Sequence, residues 1–82
     1  MKNSKTITLD NAILNTVYYI DDIKGFEIKQ LYRLYDFGLV NGAKIKPVLK
    51  SMFNGTVAYI VKGSVLSLRI EDAKNITVST RR

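Results

Sequence analysis

Cysteine and histidine are both missing from this 82-residue sequence, and their absence removes most of the chemistry a small protein can carry. Without cysteine there is no disulfide framework, no thiol nucleophile and no thiolate metal ligand. Without histidine there is no imidazole ligand, and no side chain whose ordinary titration falls between pH 5 and 8. Ser-His-Asp and Cys-His catalysis are excluded outright. General acid–base work would need a strongly perturbed Asp, Glu, Lys or Tyr, and only seven acidic residues are available. No enzymatic activity is expected.

Acidic charge is also scarce against thirteen lysines and arginines, leaving a net charge of +6 and a pI of about 9.7. That balance favours an anionic partner without choosing among nucleic acid, an anionic membrane surface and an acidic protein face. No apolar run approaches the roughly 18 residues that would span a bilayer. The basic start, Met1 to Ile7, lacks the apolar h-region of about 7–15 residues found in signal peptides. The cytoplasm is the expected compartment. With 46% hydrophobic residues the chain can still bury a core, and its length suits one domain over residues 1–82, with 1–6 read as a disordered start.

The periodicities predict a mainly β fold. Asp10 is placed to cap a short helical turn over Asn11 to Leu14. Thr16 to Ile20, rich in β-branched and aromatic side chains, reads as the first strand, and Asp21-Asp22 with Lys24-Gly25 as the loop that ends it. Phe26 to Phe37 carries the one convincing helical pattern. Ile28, Leu31, Leu34 and Tyr35 form its apolar face, with Lys29, Gln30 and Arg33 toward water. Gly38 sits where a glycine closes a helix, putting Leu34 and Leu39 at the two positions that touch in a Schellman cap. Ala43 to Met52, Thr56 to Lys62, Val65 to Ile70 and Ile76 to Val78 follow as strands. Phe53-Asn54-Gly55 and Gly63-Ser64 supply the turns, and Glu71 to Asn75 a single helical turn. Pro47 has no N–H to donate, which predicts an unpaired edge or a bulge at that point. Five short strands plugged by a helix describe a small closed barrel, a solution that leaves no open sheet edge.

Few residues invite a functional reading. Lys44, Lys46 and Lys50 recur with period two along one strand face, suiting either an acidic partner or simple solvation. Leu39-Val40 after the helix cap and Met52-Phe53 at a hairpin tip are apolar where turns are normally polar. Leu39, Val40, Lys44, Lys46, Lys50, Met52 and Phe53 are therefore the candidate partner-binding residues. The tip and the Pro47 edge would also support weak self-association. Of the five tyrosines, most are needed for the core, so a stacking surface for nucleic acid is not expected. Asp21-Asp22 and Glu71-Asp72 lack the spacing of an oxygen-ligand loop and read as turn and cap residues. The glycines do not form a phosphate-binding loop. No metal site and no cofactor are expected.

One resemblance covers nearly the whole chain, from Leu9 to Val78. Arg33-Leu34 followed by Phe37-Gly38-Leu39-Val40-Asn41-Gly42 is similar to the Leu-Gly-Leu-Val-Pro-Gly signature of the FeoA family. Thr56-Val57-Ala58-Tyr59, Val61-Lys62-Gly63, Leu66-Ser67-Leu68-Arg69 and Glu71-Asp72-Ala73 resemble its later strands. Asn41 replaces the usual proline and Asn15 an early glycine, and asparagine tolerates turn conformations at both. The resemblance implies an SH3-like barrel of about five strands with a helix inserted between the first two. It also implies a non-enzymatic, cytoplasmic accessory to ferrous iron uptake. The implied partner is the cytoplasmic part of a FeoB-like transporter, which would make the chain peripheral to the membrane through that partner. Transition-metal binding is a common label of the family, and this sequence offers it no soft ligands. The competing readings are a basic nucleic-acid-binding barrel, a weak transition-metal binder, and the regulatory barrel of a metal-dependent repressor, for whose DNA-binding helices a chain of this length has no room.

Overall fold

The computed structural model describes residues 6–51, 53 and 55–80. The disordered start expected for 1–6 falls almost wholly outside that range, as do Met52 and Asn54. Six strands form: β1 (Ile7–Thr8), β2 (Tyr18–Ile23), β3 (Lys44–Lys50), β4 (Thr56–Val61), β5 (Ser64–Arg69) and β6 (Ile76–Ser79). Helix α1 (Ile28–Asp36) lies between β2 and β3, and a single turn, α2 (Ile70–Ala73), between β5 and β6. All pairings are antiparallel, in the order β1-β6-β2-β3-β4-β5.

Two expectations change here. There are six strands, because Ile7 and Thr8 pair with Val78 and Thr77. The sheet is also not closed: among the described residues β5 pairs only with β4, and β1 only with β6. A two-residue β1 offers too little backbone to complete a barrel. The helical turn near the start is a 3-10 turn at Leu9–Asn11, earlier than expected, because it buries Leu9.

The core runs between the strands. Leu9, Ile20, Leu39, Ile45, Tyr59, Val61, Ile76 and Val78 are each at most 2% exposed. Period-two alternation delivers most of them, as in Val57, Tyr59 and Val61 of β4 and Leu66 and Leu68 of β5. Two bulges interrupt the alternation. In β2 the register shifts between Ile20 and Asp22, so the strand continues through the Asp21-Asp22 pair expected to end it. The Asp21 carboxylate accepts bonds there from Thr6 Oγ1 and Ser79 Oγ, each at 3.2 Å. In β3 the register shifts between Pro47 and Leu49, where the missing proline N–H made a bulge one of two expected outcomes.

The C-terminus of α1 is held by a Schellman cap. Gly38 N–H donates to the Tyr35 carbonyl and Leu39 N–H to the Leu34 carbonyl, both at 2.9 Å, and Leu34 and Leu39 are both buried. Gly38 has φ +92°, and a Cβ added there would lie 2.8 Å from Lys62 Cδ. The Lys62 chain can swing aside, whereas the left-handed backbone cannot relax. Gly38→Ala is therefore expected to lower stability by about 1–2 kcal/mol, the left-handed penalty alone. A urea titration checks this, and Lys62→Ala should recover little of the loss.

Helix α1 is buried less than its sequence pattern suggests. Leu34 is its only fully buried residue, whereas Ile28, Tyr32 and Tyr35 are more than half exposed. The N-terminal cap (Glu27 N–H to Gln30 Oε1, 3.1 Å) and the Schellman cap fix the helix at its two ends. Positions Ile28, Tyr32 and Tyr35 share one stripe at helical spacing, and that stripe is largely exposed.

Candidate functional site

The seven residues singled out from the sequence do not converge on one surface. Leu39 is fully buried, so it is a core residue and not a contact. It follows the Schellman glycine, and burial of the residue after that glycine against the last helical turn is part of the motif. Val40 is 38% exposed and lines a groove of about 550 Å³ with Asp22, Ile23, Leu31, Tyr35 and Asn41. Met52 lies outside the described residues. Phe53 is 98% exposed at the tip between β3 and β4.

The expected lysine stripe is also divided. Lys44 and Lys46 share one face of β3, with Lys46 opposite Ile60. Beyond the bulge the faces exchange. Leu49 turns outward, opposite Ala58, while Lys50 is opposite the buried Val57. Lys50 is thus at the far end of the strand, about 20 Å from Lys44 at 3.3 Å per residue, and off its face. Period two predicts a continuous stripe only where the ladder is regular.

Lys44 and Lys46 gain a different companion, Lys62. The three line a shallow depression of about 190 Å³ together with Val17, Ile45 and Ile60. Ile45 is fully buried, whereas Val17 and Ile60 are 44% and 37% exposed. Lys62 occupies the first central position of the β4–β5 turn with φ +51°, followed by Gly63 at +80°, the paired positive values of a type I′ turn. The turn is therefore Lys62-Gly63, one residue before the Gly63-Ser64 expected, and Ser64 joins β5. Asn15 (φ +66°) donates its N–H to the Pro47 carbonyl at 2.7 Å, tying the loop that carries Val17 to β3. Among the described residues no carboxylate lines the depression. The one ion pair among the described residues is elsewhere, Lys24 to Asp22 at 3.4 Å. The result is an apolar patch rimmed by three cations, suited to a surface that pairs apolar and acidic side chains. Spacing along the sequence picks out Lys44 and Lys46, whereas Ile60 enters through strand pairing, Lys62 through the β4–β5 turn and Val17 through the loop tied to β3.

Other candidate chemistry is structural. Asp22 Oδ1 accepts the Ile23 N–H at 2.9 Å, and Asp22 pairs with Lys24. Among the described residues no three carboxylates gather as a metal site. Tyr18 and Tyr59 are core residues, but Tyr32 and Tyr35 are exposed on α1, so fewer tyrosines serve the core than expected. The Tyr59 hydroxyl is buried without a hydrogen-bond partner among the described residues, as is Asp10 Oδ1. Burial, aided by the Asp10 charge, pushes the Tyr59 pKa up to about 12. No helix among the described residues is long and apolar enough to cross a membrane.

Comparison with known proteins places these features in context. The model of the FeoA domain family matches residues 7–80. No curated protein matches the sequence. The FeoA protein of Chlorobium tepidum superposes with a TM-score of 0.81 at 26% identity, covering 89% of this chain and 69% of that one. The zinc-complexed FeoA of Stenotrophomonas maltophilia, described as a prokaryotic SH3 domain protein and suggested as a ferrous iron transport activating factor, gives 0.71 at 25%, covering 88% of each chain. A manganese-dependent transcriptional repressor gives 0.82 at 12%, with 98% of this chain matching 44% of the repressor, which is a likeness of fold alone.

Proposed function

This chain belongs to the FeoA family, and on that premise we propose that it is a non-enzymatic cytoplasmic accessory of ferrous iron uptake that docks on the cytoplasmic part of a FeoB-like transporter. The observation that carries the docking surface is the depression rimmed by Lys44, Lys46 and Lys62 over Val17, Ile45 and Ile60. An acidic partner face supplies the complementary charge and is steered toward the +6 chain from a distance. Its apolar side chains replace water over Val17 and Ile60. Phe53, at the other end of the β3–β4 hairpin, supplies a second anchor. Binding one state of the transporter better than another shifts its equilibrium toward that state, and no chemistry by this chain is required.

The test is calorimetric titration of the purified chain against the purified cytoplasmic part of the transporter. Wild type should bind, with affinity falling as salt rises. The triple variant Lys44→Glu, Lys46→Glu, Lys62→Glu should lose at least about 2 kcal/mol, roughly thirtyfold, because it turns three attractions into repulsions. Phe53→Asp should weaken binding about tenfold with an unchanged Tm, since Phe53 buries nothing within the chain. No binding by wild type, or full binding by the triple variant, overturns the proposal.

A further inference from the structure

Among the described residues the outer edge of β5 has no strand partner, and the strand itself carries none of the usual protections. Natural sheets blunt their edges with proline, bulges, inward charges or very short strands. The opposite edge follows that rule, since β1 has two residues. By contrast, β5 has six residues, no proline, and an unbroken register with β4 from Thr56↔Arg69 to Val61↔Ser64.

The register also says which backbone groups are free. A two-residue turn closes on a hydrogen-bonded pair, here Val61 with Ser64. Such pairs alternate, so Leu66 with Tyr59 and Leu68 with Val57 also exchange bonds. Ile70 N–H donating to the Gly55 carbonyl at 2.9 Å continues the same series. The N–H and C=O groups of Val65 and Ser67 and the N–H of Arg69 therefore point away from β4, while the Arg69 carbonyl is taken up as the N-cap of α2. The middle of this edge borders a groove of about 200 Å³ that Leu66, Ser67 and Leu68 share with Phe26, Leu34 and Phe37 of the helical segment. Arg33 and Gln30 also line it, with Asp72 as its one acid.

We propose that β5 and this groove take up an extended segment of an acidic partner protein, which adds a seventh strand to the sheet. Backbone bonds to Val65, Ser67 and Arg69 hold the segment, while alternate apolar side chains enter against Leu34, Phe37 and Leu66. Arg33 in the groove, on a chain of net charge +6, selects glutamate or aspartate at the remaining positions. The same charge disfavours a second copy of this chain as the occupant, since two +6 molecules repel. This surface is separate from the lysine-rimmed depression and does not depend on the identity of the transporter.

The test uses a capped synthetic heptapeptide alternating glutamate with valine or leucine, and a counterpart with lysine for glutamate. Amide exchange and chemical shifts of the full chain are followed by NMR. The glutamate peptide should slow exchange of the Val65, Ser67 and Arg69 amides at least tenfold, and the lysine peptide should bind at least tenfold more weakly. Ser67→Pro removes a donor outside the β4 ladder and should abolish the protection. Arg33→Glu, a variant with no backbone change, should reverse the preference between the peptides. Failure of the glutamate peptide to bind, or shifts confined to Lys44, Lys46 and Lys62, overturns the proposal. Protection that depends on protein concentration without peptide also overturns it, because the edge would then pair with itself. None of these outcomes bears on whether the transporter binds.

Discussion

Leu39→Ala should destabilise the chain by about 2–5 kcal/mol, while the neighbouring Val40→Ala should cost well under about 1 kcal/mol. Leu39 is fully enclosed and Val40 is 38% exposed, so adjacent apolar residues in one motif divide between core and surface. The loss at Leu39 has two sources. Its side chain leaves a cavity where it met Leu34, and its N–H loses the packing that holds it at 2.9 Å from the Leu34 carbonyl. Several downstream contacts depend on that placement. Ala43 N–H donates to the Val40 carbonyl at 3.0 Å, Gly42 N–H to the Ile20 carbonyl at 2.7 Å, and Ile20 N–H to the Ala43 carbonyl at 2.9 Å. The segment after the helix is thus clamped onto β2 directly beyond Leu39. A chain of this size has a total stability of roughly 4–12 kcal/mol, so Leu39→Ala should leave a marginal fold. Chemical denaturation of the two alanine variants checks the contrast. Near-equal midpoints would mean that Leu39 is not the anchor of the cap.

The same motif shows how far the sequence alone reaches. Gly38 after the last helical turn, with leucines at the two contact positions, is a local device whose geometry its own residues dictate, and the Schellman cap formed as expected. The pairings of β3 with β4 and of β4 with β5 were legible for the same reason, since alternation acts over a few residues, although the β4–β5 turn lies one residue earlier than its glycine suggested. What escaped was non-local. The pairing of Ile7 and Thr8 with β6 joins residues about 70 positions apart, and two residues have no periodicity to detect. The β3 bulge was anticipated from Pro47, but its consequence for Lys50 was not, because one extra residue exchanges the faces of everything after it. Helix α1 failed differently. Ile28 and Tyr35 fit an apolar stripe, yet the sheet beneath α1 covers only the neighbouring strip around Leu34. Periodicity names the residues on a face and does not say whether anything packs against it. Lys62 joined the candidate site through the φ +51° turn that brings it beside Lys44 and Lys46, a tertiary fact with no signal in spacing.

Tyr59 should give the chain an alkaline weakness that a phenylalanine removes. Its hydroxyl is enclosed, unpartnered among the described residues, and near enough to Asp10 to feel the carboxylate charge. Burial disfavours the phenolate most and Asp10 adds to it, so the folded-state pKa is raised from the ordinary 10.0 to about 12. Below pH 10 the ring is neutral in both folded and unfolded chains, and the preference for the neutral form is fully expressed. Between pH 10 and 12 the unfolded chain releases the proton while the folded chain retains it. The folded state then binds more protons, and stability falls as pH rises. Above about pH 12 both forms are ionised and the difference stops growing. At about 1.4 kcal/mol for each pH unit, the total loss is on the order of 2–3 kcal/mol. Tyr59→Phe removes the ionisable group along with a buried polar atom that lacked a partner. Its stability at pH 7 should therefore stay within about 1 kcal/mol of wild type. The difference between the two proteins, measured by urea unfolding at pH 7, 10 and 12, isolates Tyr59, because every other side chain is common to both. Parallel curves across that range would show that the hydroxyl ionises in the folded chain as readily as in the unfolded one, and that the β4 core around Tyr59 admits charge.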